Sequence, residues 1–365
     1  MSHRKTHIPA KKKSPPKAKP LYATPAPVRP VADSKPQSQE PIPQTPEPQF
    51  LLREDGSIAP VPHPVDTPAG PPELIHRSDT PFVRLYRGNC LELLDAIAER
   101  HPEGRFDAIF ADPPYFLSNG GISCQNGRME KVDKGDWDKS RGPEVNHQFN
   151  LEWLARCQRV LKPNGTLWVS GTHHVIFSIG YAMQQLGFKI LNDIAWEKPN
   201  PPPNLSCRYF THSTETVLWA AKNEKARHVF NYQEMRKVSG KQMKTVWRDL
   251  GEGEPRMDTK QHESDWGNAS APGSIWTLTA PHAAEKTHGK HPTQKPLALI
   301  ERCLLASTNP GDLVLDPFLG GGTTAVACIR LQRGCVGIEL DEEHAKLSAK
   351  RVREESKRGE GELFK

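Results

Sequence analysis

A short apolar run followed at once by an acid, two prolines and a tyrosine is the most constraining feature of this sequence. Residues 106–111 (Phe-Asp-Ala-Ile-Phe-Ala) are apolar enough for a strand buried on both faces, as central strands of parallel sheets are. Asp112, Pro113, Pro114 and Tyr115 follow directly. Because ligands bind at the carboxyl ends of strands in open α/β sheets, these four residues are predicted to line a ligand site.

Predicted strands and helices alternate along most of the chain after residue 81, which indicates a doubly wound, mostly parallel α/β sheet with helices on both faces. The predicted strands are 82–86, 106–111, 166–170, 188–196, 214–221, 313–315 and 335–339. The predicted helices are 90–99, 150–161, 173–186, 297–307, 322–332 and about 342–356. Residues 222–290 show no clear periodicity and are predicted to form an irregular insertion.

The N-terminal region differs from the rest in composition. Residues 1–75 contain 18 of the 35 prolines, and the first 32 residues carry eight Lys or Arg and no acid. Such a segment cannot bury enough apolar surface to offset its ordering entropy, so we expect residues 1–75 to be a disordered, basic tail. We expect residues 76–221 and 291–365 to form the two halves of the globular domain.

Charge and cysteine content narrow the class of protein. The net charge of +6 favours a polyanionic partner, of which nucleic acid is the commonest. The seven cysteines include no C-x-x-C pair, so a zinc ribbon or a disulfide framework is not expected and a reducing, cytoplasmic location is. No apolar run approaches the roughly 20 residues that span a bilayer, and no membrane association is predicted. The histidines show no metal-ligand spacing, so no metal site is predicted.

The first motif suits a planar heterocycle that carries an exocyclic amine. Asp112 can accept a hydrogen bond from the amine, and the Pro113 carbonyl can accept a second. The two prolines fix this stretch of backbone at little entropic cost, because their rings restrict φ. Tyr115 is expected to stack on the base, and a tyrosine buried in the core is the alternative interpretation.

A second strand with an acid at its carboxyl end begins at Leu313. Asp316 is followed by Phe318, Gly320, Gly322, Thr323 and Thr324, a glycine-rich turn that leads into a helix, and Glu339 ends the next strand. The spacing is neither G-x-G-x-x-G nor a P-loop, so a nucleoside without a pyrophosphate is predicted. Glu339 suits the two ribose hydroxyls and Asp316 suits an ammonium group, and together they indicate S-adenosylmethionine.

Four further residues are expected at this cofactor. His291 and Lys295 belong to the run His-Pro-Thr-Gln-Lys-Pro that opens the 297–307 helix, where Lys295 would hold the carboxylate of the methionine end. A solvated lysine is the alternative for Lys295. Phe318 is expected to pack on the cofactor, with core packing as the alternative, and Asn89 is expected near the adenine end.

The two motifs together resemble those of the β class of DNA amino-methyltransferases, which methylate adenine N6 or cytosine N4. The run from Asp112 to Tyr115 precedes the cofactor motif at Asp316 by 204 residues, and the motif containing Lys295 lies just before the cofactor strand. The resemblance covers about residues 82–356 and implies a seven-stranded methyltransferase sheet whose antiparallel edge comes from 188–196 and 214–221. It also implies that residues 76–221 are the catalytic half, 222–290 the target-recognition region and 291–365 the cofactor half.

Basic and aromatic residues are interleaved in the implied target-recognition region and just before it. Cations on phosphates and planar groups near bases are what a DNA groove requires. A solvated surface insertion is the alternative. The residues predicted to bind DNA are Arg208, Arg236, Lys237, Lys241, Lys244 and Arg248.

The residues favour adenine N6 as the target, because Asp heads the first motif and cytosine-N4 relatives more often begin with Ser. Cytosine N4 is the nearest alternative, followed by an RNA or protein amide methyltransferase and by a non-catalytic DNA-binding subunit. Methylation at cytosine carbon-5 is disfavoured, since the chain has no Pro-Cys pair for the nucleophile. A homodimer and a cognate restriction enzyme are the further partners considered.

Overall fold

The elements of secondary structure come from a computed structural model, which describes residues 71–363 except 119–121, 126–127, 132–137, 199–200, 202, 205–206, 241 and 248–293. The strands are β1 (Glu73–Asp79), β2 (Phe82–Arg87), β3 (Phe106–Ala111), β4 (Ile122–Gln125), β5 (Arg128–Lys131), β6 (Leu161–Gly171), β7 (Lys189–Glu197), β8 (Thr214–Ala221), β9 (Val246–Trp247), β10 (Leu313–Asp316) and β11 (Gly334–Glu339). The helices are α1 (Cys90–Arg100), α2 (Pro143–Val160), α3 (Ile176–Gln185), α4 (Tyr232–Ser239), α5 (Leu297–Ser307), α6 (Thr323–Arg330) and α7 (Glu342–Leu363).

Nine of the strands form one mixed sheet in the order β1-β2-β11-β10-β3-β6-β8-β7-β9. All seven predicted strands are present and adjacent, and β1 and β9 extend the sheet by one strand at each edge. The strands from β2 to β6 in this order pair in parallel, whereas β8 runs antiparallel to both of its neighbours. Strand β3 lies in the middle, which explains why its sequence is apolar on both faces.

Helices cover both faces of the sheet, which confirms the predicted doubly wound arrangement. Buried residues of α1, α2 and α3, such as Leu94, Trp153 and Ile179, pack in one core cluster. Buried residues of α4, α5, α6 and α7, such as Met235 and Leu299, pack in the other. The two layers leave the carboxyl edge of the parallel strands available for a site.

The structure differs from the sequence predictions where apolar periodicity is weak. Strand β1 begins at Glu73, so residues 73–75, which were predicted to belong to the tail, are in the sheet. Helix α2 begins at Pro143, whereas the predicted helix began at residue 150. The prediction missed the first two turns because they are polar. Proline is favourable as the first residue of a helix, which explains the observed start. Helix α4 and strand β9 lie in the region predicted to be irregular.

Some predictions fall outside the described residues. They concern the tail up to residue 70, the predicted target-recognition region from residue 248 to residue 290, and the residues His291, Lys241 and Arg248. Among the helices of the described part, none is long and apolar enough to cross a bilayer.

Candidate active site

The two acidic motifs meet because their strands are neighbours. Strands β3 and β10 pair in parallel, with Ile109 opposite Leu315. Asp112 follows the end of β3 and Asp316 ends β10, so both carboxylates lie at the carboxyl edge of the sheet. This is the juxtaposition that the sequence predicted from motifs 204 residues apart.

Asp112 accepts hydrogen bonds at both carboxylate oxygens. Its Oδ1 atom accepts from the hydroxyl groups of Tyr115 at 2.8 Å and Ser170 at 2.7 Å. Its Oδ2 atom accepts from the Lys295 ammonium at 2.5 Å. A carboxylate offers about four lone-pair sites, so these three donors hold its orientation and leave one site on Oδ2.

Lys295 contacts the first motif in this structure. The sequence predicted that it holds the carboxylate of the cofactor, but its ammonium forms a buried ion pair with Asp112, and the lysine side chain is only 7% exposed. Burial by itself lowers the pKa of Lys295, but the attraction of Asp112, Glu215 and Asp316 outweighs it and the pKa is raised. Lys295 is therefore positively charged at neutral pH, and a role at the cofactor remains a prediction.

Tyr115 is 6% exposed, and its hydroxyl group donates to Asp112. Burial, reinforced by the Asp112 charge, raises the pKa of this tyrosine well above its usual value, so the hydroxyl keeps its proton. The Lys295 ammonium lies 5.2 Å from the centre of the Tyr115 ring. The stacking role predicted for Tyr115 requires an accessible ring face, and in this structure the ring is buried with the Lys295 ammonium over it.

Asp138 fixes the backbone of the first motif, and the sequence predictions did not include it among the site residues. Its buried carboxylate accepts hydrogen bonds from the backbone N–H groups of Tyr115 and Phe116 at 2.8 Å and from the Ser118 hydroxyl at 2.9 Å. Phe116 adopts a φ of 58°, which is unfavourable for a residue with a side chain. The Asp138 contacts offset this strain and hold Tyr115 in place. Its position at the end of the run Gly-Asp-Trp-Asp, residues 135–138, was the available signal in the sequence.

The second motif contains two acids with unusual proton affinity. Burial raises the pKa of Asp316 to about 7, against the hydrogen bonds from Thr324 and Phe318, and the Asp112 and Glu339 charges add to the rise. Burial also raises the pKa of Glu339 to about 7, against backbone hydrogen bonds that include those from Asp341 and Gly320. A ligand that brings a positive charge and hydroxyl donors would relieve both costs.

The glycine turn of the second motif closes tightly around Glu339. The Gly320 N–H group donates to Glu339 Oε2 at 2.6 Å. Gly322 has a φ of 81°, and a Cβ atom there would lie 2.9 Å from the Cβ atom of Ser348, so the position requires glycine. Thr324 donates to Asp316 Oδ2 at 2.6 Å, whereas Thr323 contacts Arg351.

Each acid of the second motif keeps acceptor capacity after these contacts. Asp316 accepts one hydrogen bond at each oxygen, from Phe318 and Thr324. Glu339 likewise accepts one at each oxygen, from Gly320 and Asp341. Among the described residues these contacts leave a lone pair on each oxygen of Asp316, and Glu339, which also interacts with the Leu340 N–H group, keeps acceptor capacity as well. These acceptor oxygens fit the ammonium group and the two ribose hydroxyls of S-adenosylmethionine, which are hydrogen-bond donors.

The other residues predicted to bind the cofactor have structural contacts. Asn89 caps helix α1, because its side-chain oxygen accepts from the Leu91 N–H group at 2.9 Å. Phe318 is partly buried and packs edge-on against Trp153, with ring centres 5.4 Å apart. Both positions remain near the edge of the sheet, and their contact with a cofactor remains a prediction.

Of the predicted DNA-binding residues that the structure describes, two lie away from the carboxyl edge of the parallel strands. Arg236 and Lys237 are exposed on α4, whose preceding residue Asn231 is hydrogen-bonded to Ala306 at the carboxyl end of α5. Lys295 lies at the opposite end of that helix, about 16 Å away by the rise of its 11 residues.

Two other predicted DNA-binding residues lie nearer the catalytic edge. Lys244 immediately precedes Thr245, whose carbonyl accepts from the Ala195 N–H group near the end of β7. Arg208 is exposed in the loop before β8. The described ranges contain no group of three or more His, Cys, Asp or Glu residues that could hold a metal ion.

Comparisons with known proteins agree with this geometry. A family model described as DNA methylase, of the N6/N4 methyltransferase type, matches residues 106–350. The Type II methyltransferase M2.DpnII of Streptococcus pneumoniae is 50% identical over 262 residues, which is 71% of this chain and 87% of that protein. The Type II methyltransferase M2.MboI of Moraxella bovis is 45% identical over 278 residues, which is 76% of this chain and 90% of that protein.

A solved structure shares the fold. The chain matches the PvuII DNA methyltransferase (cytosine-N4-specific) with a TM-score of 0.50 and 19% identity, over 76% of this chain and 92% of that one. The family model covers more than half of the chain, and the two relatives match along most of their own length. The chain therefore belongs to the N6/N4 DNA methylase family.

Proposed function

We propose that this DNA methylase transfers the methyl group of S-adenosylmethionine to the N6 amine of a flipped adenine in a specific DNA sequence. The observation that carries the proposal is the Asp112 carboxylate at the end of β3, whose Oδ1 atom is held by Tyr115 and Ser170 and whose Oδ2 atom accepts from an ammonium group as it would accept from the amine. The likeness to relatives named Type II methyltransferases supports modification at a defined site.

The chemistry asked of Asp112 is electrostatic. An exocyclic amine on a purine is a poor nucleophile, because its lone pair is delocalised into the ring. The Asp112 carboxylate and the Pro113 carbonyl accept hydrogen bonds from the two N–H groups of the amine and thereby localise the lone pair on nitrogen. Fixed acceptors of this kind act mainly by positioning and by stabilising developing charge.

The second motif is proposed to bind the methyl donor. S-adenosylmethionine supplies a methyl group activated by a sulfonium. Asp316 binds its ammonium group and Glu339 its ribose hydroxyls, since both carboxylates retain acceptor capacity. The target amine lies inside a DNA duplex, so the base must leave the stack to reach Asp112.

The proposal also covers the DNA contacts, the location, the partners and the alternative target base. Arg208, Arg236, Lys237, Lys241, Lys244 and Arg248 are proposed to contact DNA phosphates, and a cytoplasmic location, a homodimer and a cognate restriction enzyme remain predictions. Cytosine N4 is the alternative target, because the family includes enzymes for both amines. Asp at the first position of the motif favours adenine.

Nucleoside analysis tests the proposal directly. The protein is incubated with duplex DNA and methyl-labelled S-adenosylmethionine, and the DNA is digested to nucleosides. We expect label in N6-methyldeoxyadenosine, and none with the Asp112→Ala variant. Label only in N4-methyldeoxycytidine would contradict the adenine assignment, and unlabelled DNA would contradict the enzyme activity.

A further inference from the structure

Lys295 makes the two contacts that a target base is expected to make. Its ammonium donates to Asp112 Oδ2 at 2.5 Å, as the N6 amine would. It also lies 5.2 Å from the centre of the Tyr115 ring, where a stacked base would lie. With Tyr115 only 6% exposed, the lysine and a base cannot both use this position.

A second carboxylate near this position has an acceptor without a donor. The Glu215 side chain is 9% exposed, and its Oε1 atom is paired with the Lys198 ammonium. Its Oε2 atom is buried and has no hydrogen-bond partner in the described part of the chain. A buried charged oxygen without a donor is costly, and native structures rarely keep one without a reason.

Strand pairing places Glu215 beside the catalytic carboxylate. Its neighbour Thr216 pairs with Gly171, and Ser170, the residue before Gly171, donates to Asp112. Glu215 and Val217 share one face of β8, because strand side chains alternate. Val217 packs in the same core cluster as Leu297 of α5, the helix that begins just after Lys295. Consistent with this proximity, the Glu215 charge contributes to the raised pKa of Lys295.

We propose that Lys295 holds the place of the target amine at Asp112 and moves to the Oε2 atom of Glu215 when the base enters. The inference rests on the proposed function, because it assigns the order of events in the same pocket. Lys295 and Glu215 are positioning residues, since they act on Asp112 and do not react. The exchange moves one ammonium group between two carboxylates, so the net charge of the pocket does not change. It also opens the Asp112 Oδ2 atom and the face of Tyr115 to the base.

The test is a double-mutant cycle measured as single-turnover methylation at saturating cofactor, on DNA that the wild-type protein methylates. Glu215→Gln removes the receiving charge, so Lys295 remains at Asp112 and we expect the rate to fall at least tenfold. In a Lys295→Met background no ammonium needs a receiver, and Glu215→Gln should then change the rate less than twofold. Lys295→Met alone should lower the KM for DNA, because the base no longer competes with the lysine.

Controls separate this role from a structural one. Lys198→Met removes the other partner of Glu215 and should leave the rate within twofold of wild type. Cofactor-induced thermal stabilisation checks the fold of each variant, and Glu215→Met, which also removes the charge, replaces Glu215→Gln if the latter does not fold. An equal loss from Glu215→Gln in both backgrounds, no loss in the wild-type background, or an inactive Lys295→Met variant would overturn the proposal. Failure of the wild-type protein to methylate any DNA would instead contradict the proposed function.

Discussion

The carboxylates of Asp112 and Asp316 end two neighbouring strands of one sheet, but their surroundings differ. Asp112 is held by a lysine ammonium and two hydroxyl groups. Asp316 is held by one hydroxyl and one backbone N–H group, and burial raises its pKa to about 7. Within the described residues, a cation thus pairs with one carboxylate and not with the other. The difference indicates that the chain itself supplies a positively charged partner to Asp112, whereas the buried Asp316 carboxylate would be stabilised by a cation that a ligand brings.

The largest expected effect comes from removing the Asp112 carboxylate. Asp112→Ala should lower the rate of methyl transfer by at least about 1000-fold, because the amine loses a fixed acceptor. Binding of S-adenosylmethionine, measured by calorimetry, should stay within about threefold of wild type, because Asp112 is assigned to the base and not to the cofactor. Near wild-type transfer in this variant would remove the role assigned to Asp112.

Substitution of Asp316 should weaken cofactor binding more than it slows methyl transfer, which is the opposite of the pattern expected for Asp112. Asp316→Asn should weaken binding of S-adenosylmethionine by roughly 100-fold, because the ammonium group loses a buried, charged partner. The rate at saturating cofactor should fall much less. Calorimetry and a kcat measurement separate the two effects, and unchanged cofactor affinity would contradict the assignment.

The same variant tests the raised pKa through stability. The folded pKa of Asp316 lies above its ordinary value, so the stability that its protonated form contributes is lost as the pH rises through about 7. Asp316→Asn has no such loss. Without cofactor it should therefore melt at a higher temperature than wild type at pH 8, and the difference should shrink at pH 5.5. A difference that is the same at both pH values would argue against the raised pKa.

A smaller effect is expected from Asp138, which positions the first motif. Asp138→Asn should lower kcat roughly 10- to 50-fold, because an amide cannot accept all of the loop hydrogen bonds and Tyr115 shifts. Cofactor affinity should not change, since the contacts of Asp138 lie on the side of Asp112. Asp95→Asn is the matched control, because Asp95 is a partly exposed acid that pairs with Arg156 and Arg159 on α2. An equal loss in the control variant would indicate a general effect on stability.

The smallest expected effect is on the pH dependence of cofactor binding. Asp316 and Glu339 have pKa values of about 7, so both lose charge as the pH falls below 7, while the ammonium group of the ligand stays protonated. Affinity for S-adenosylmethionine should fall roughly tenfold between pH 7 and pH 6. Asp316→Asn should flatten this dependence and Asp112→Ala should not. A flat wild-type profile would remove the contrast between the two acids.

Much of the fold could be predicted from local patterns. Each of the seven central strands either is a continuous apolar run or is flanked by glycine, proline or acidic residues that mark its ends. All seven are present in the sheet. Strand β1 and helix α4 could not be predicted in the same way, because their sequences are polar. Pairing with β2 stabilises β1, and hydrogen bonds of Asn231 to the end of α5 anchor α4.

The sequence by itself determined which polar residues stand at the ends of buried strands, namely Asp112 and Tyr115 at one strand end and Asp316 and Glu339 at two others, and their chemical roles remain predictions. It could do so because acids and glycines that follow an apolar run are visible in the local sequence, and ligands bind at the carboxyl ends of such strands. Only the tertiary structure decided the partners of those residues, namely Lys295 and Ser170 at Asp112, Asp138 beneath Tyr115, and Glu215 close by. Asp138 is 23 residues from Tyr115, and Ser170 and Lys295 are 58 and 183 residues from Asp112. The order of strands in the sheet, which no local pattern encodes, brings the distant partners together.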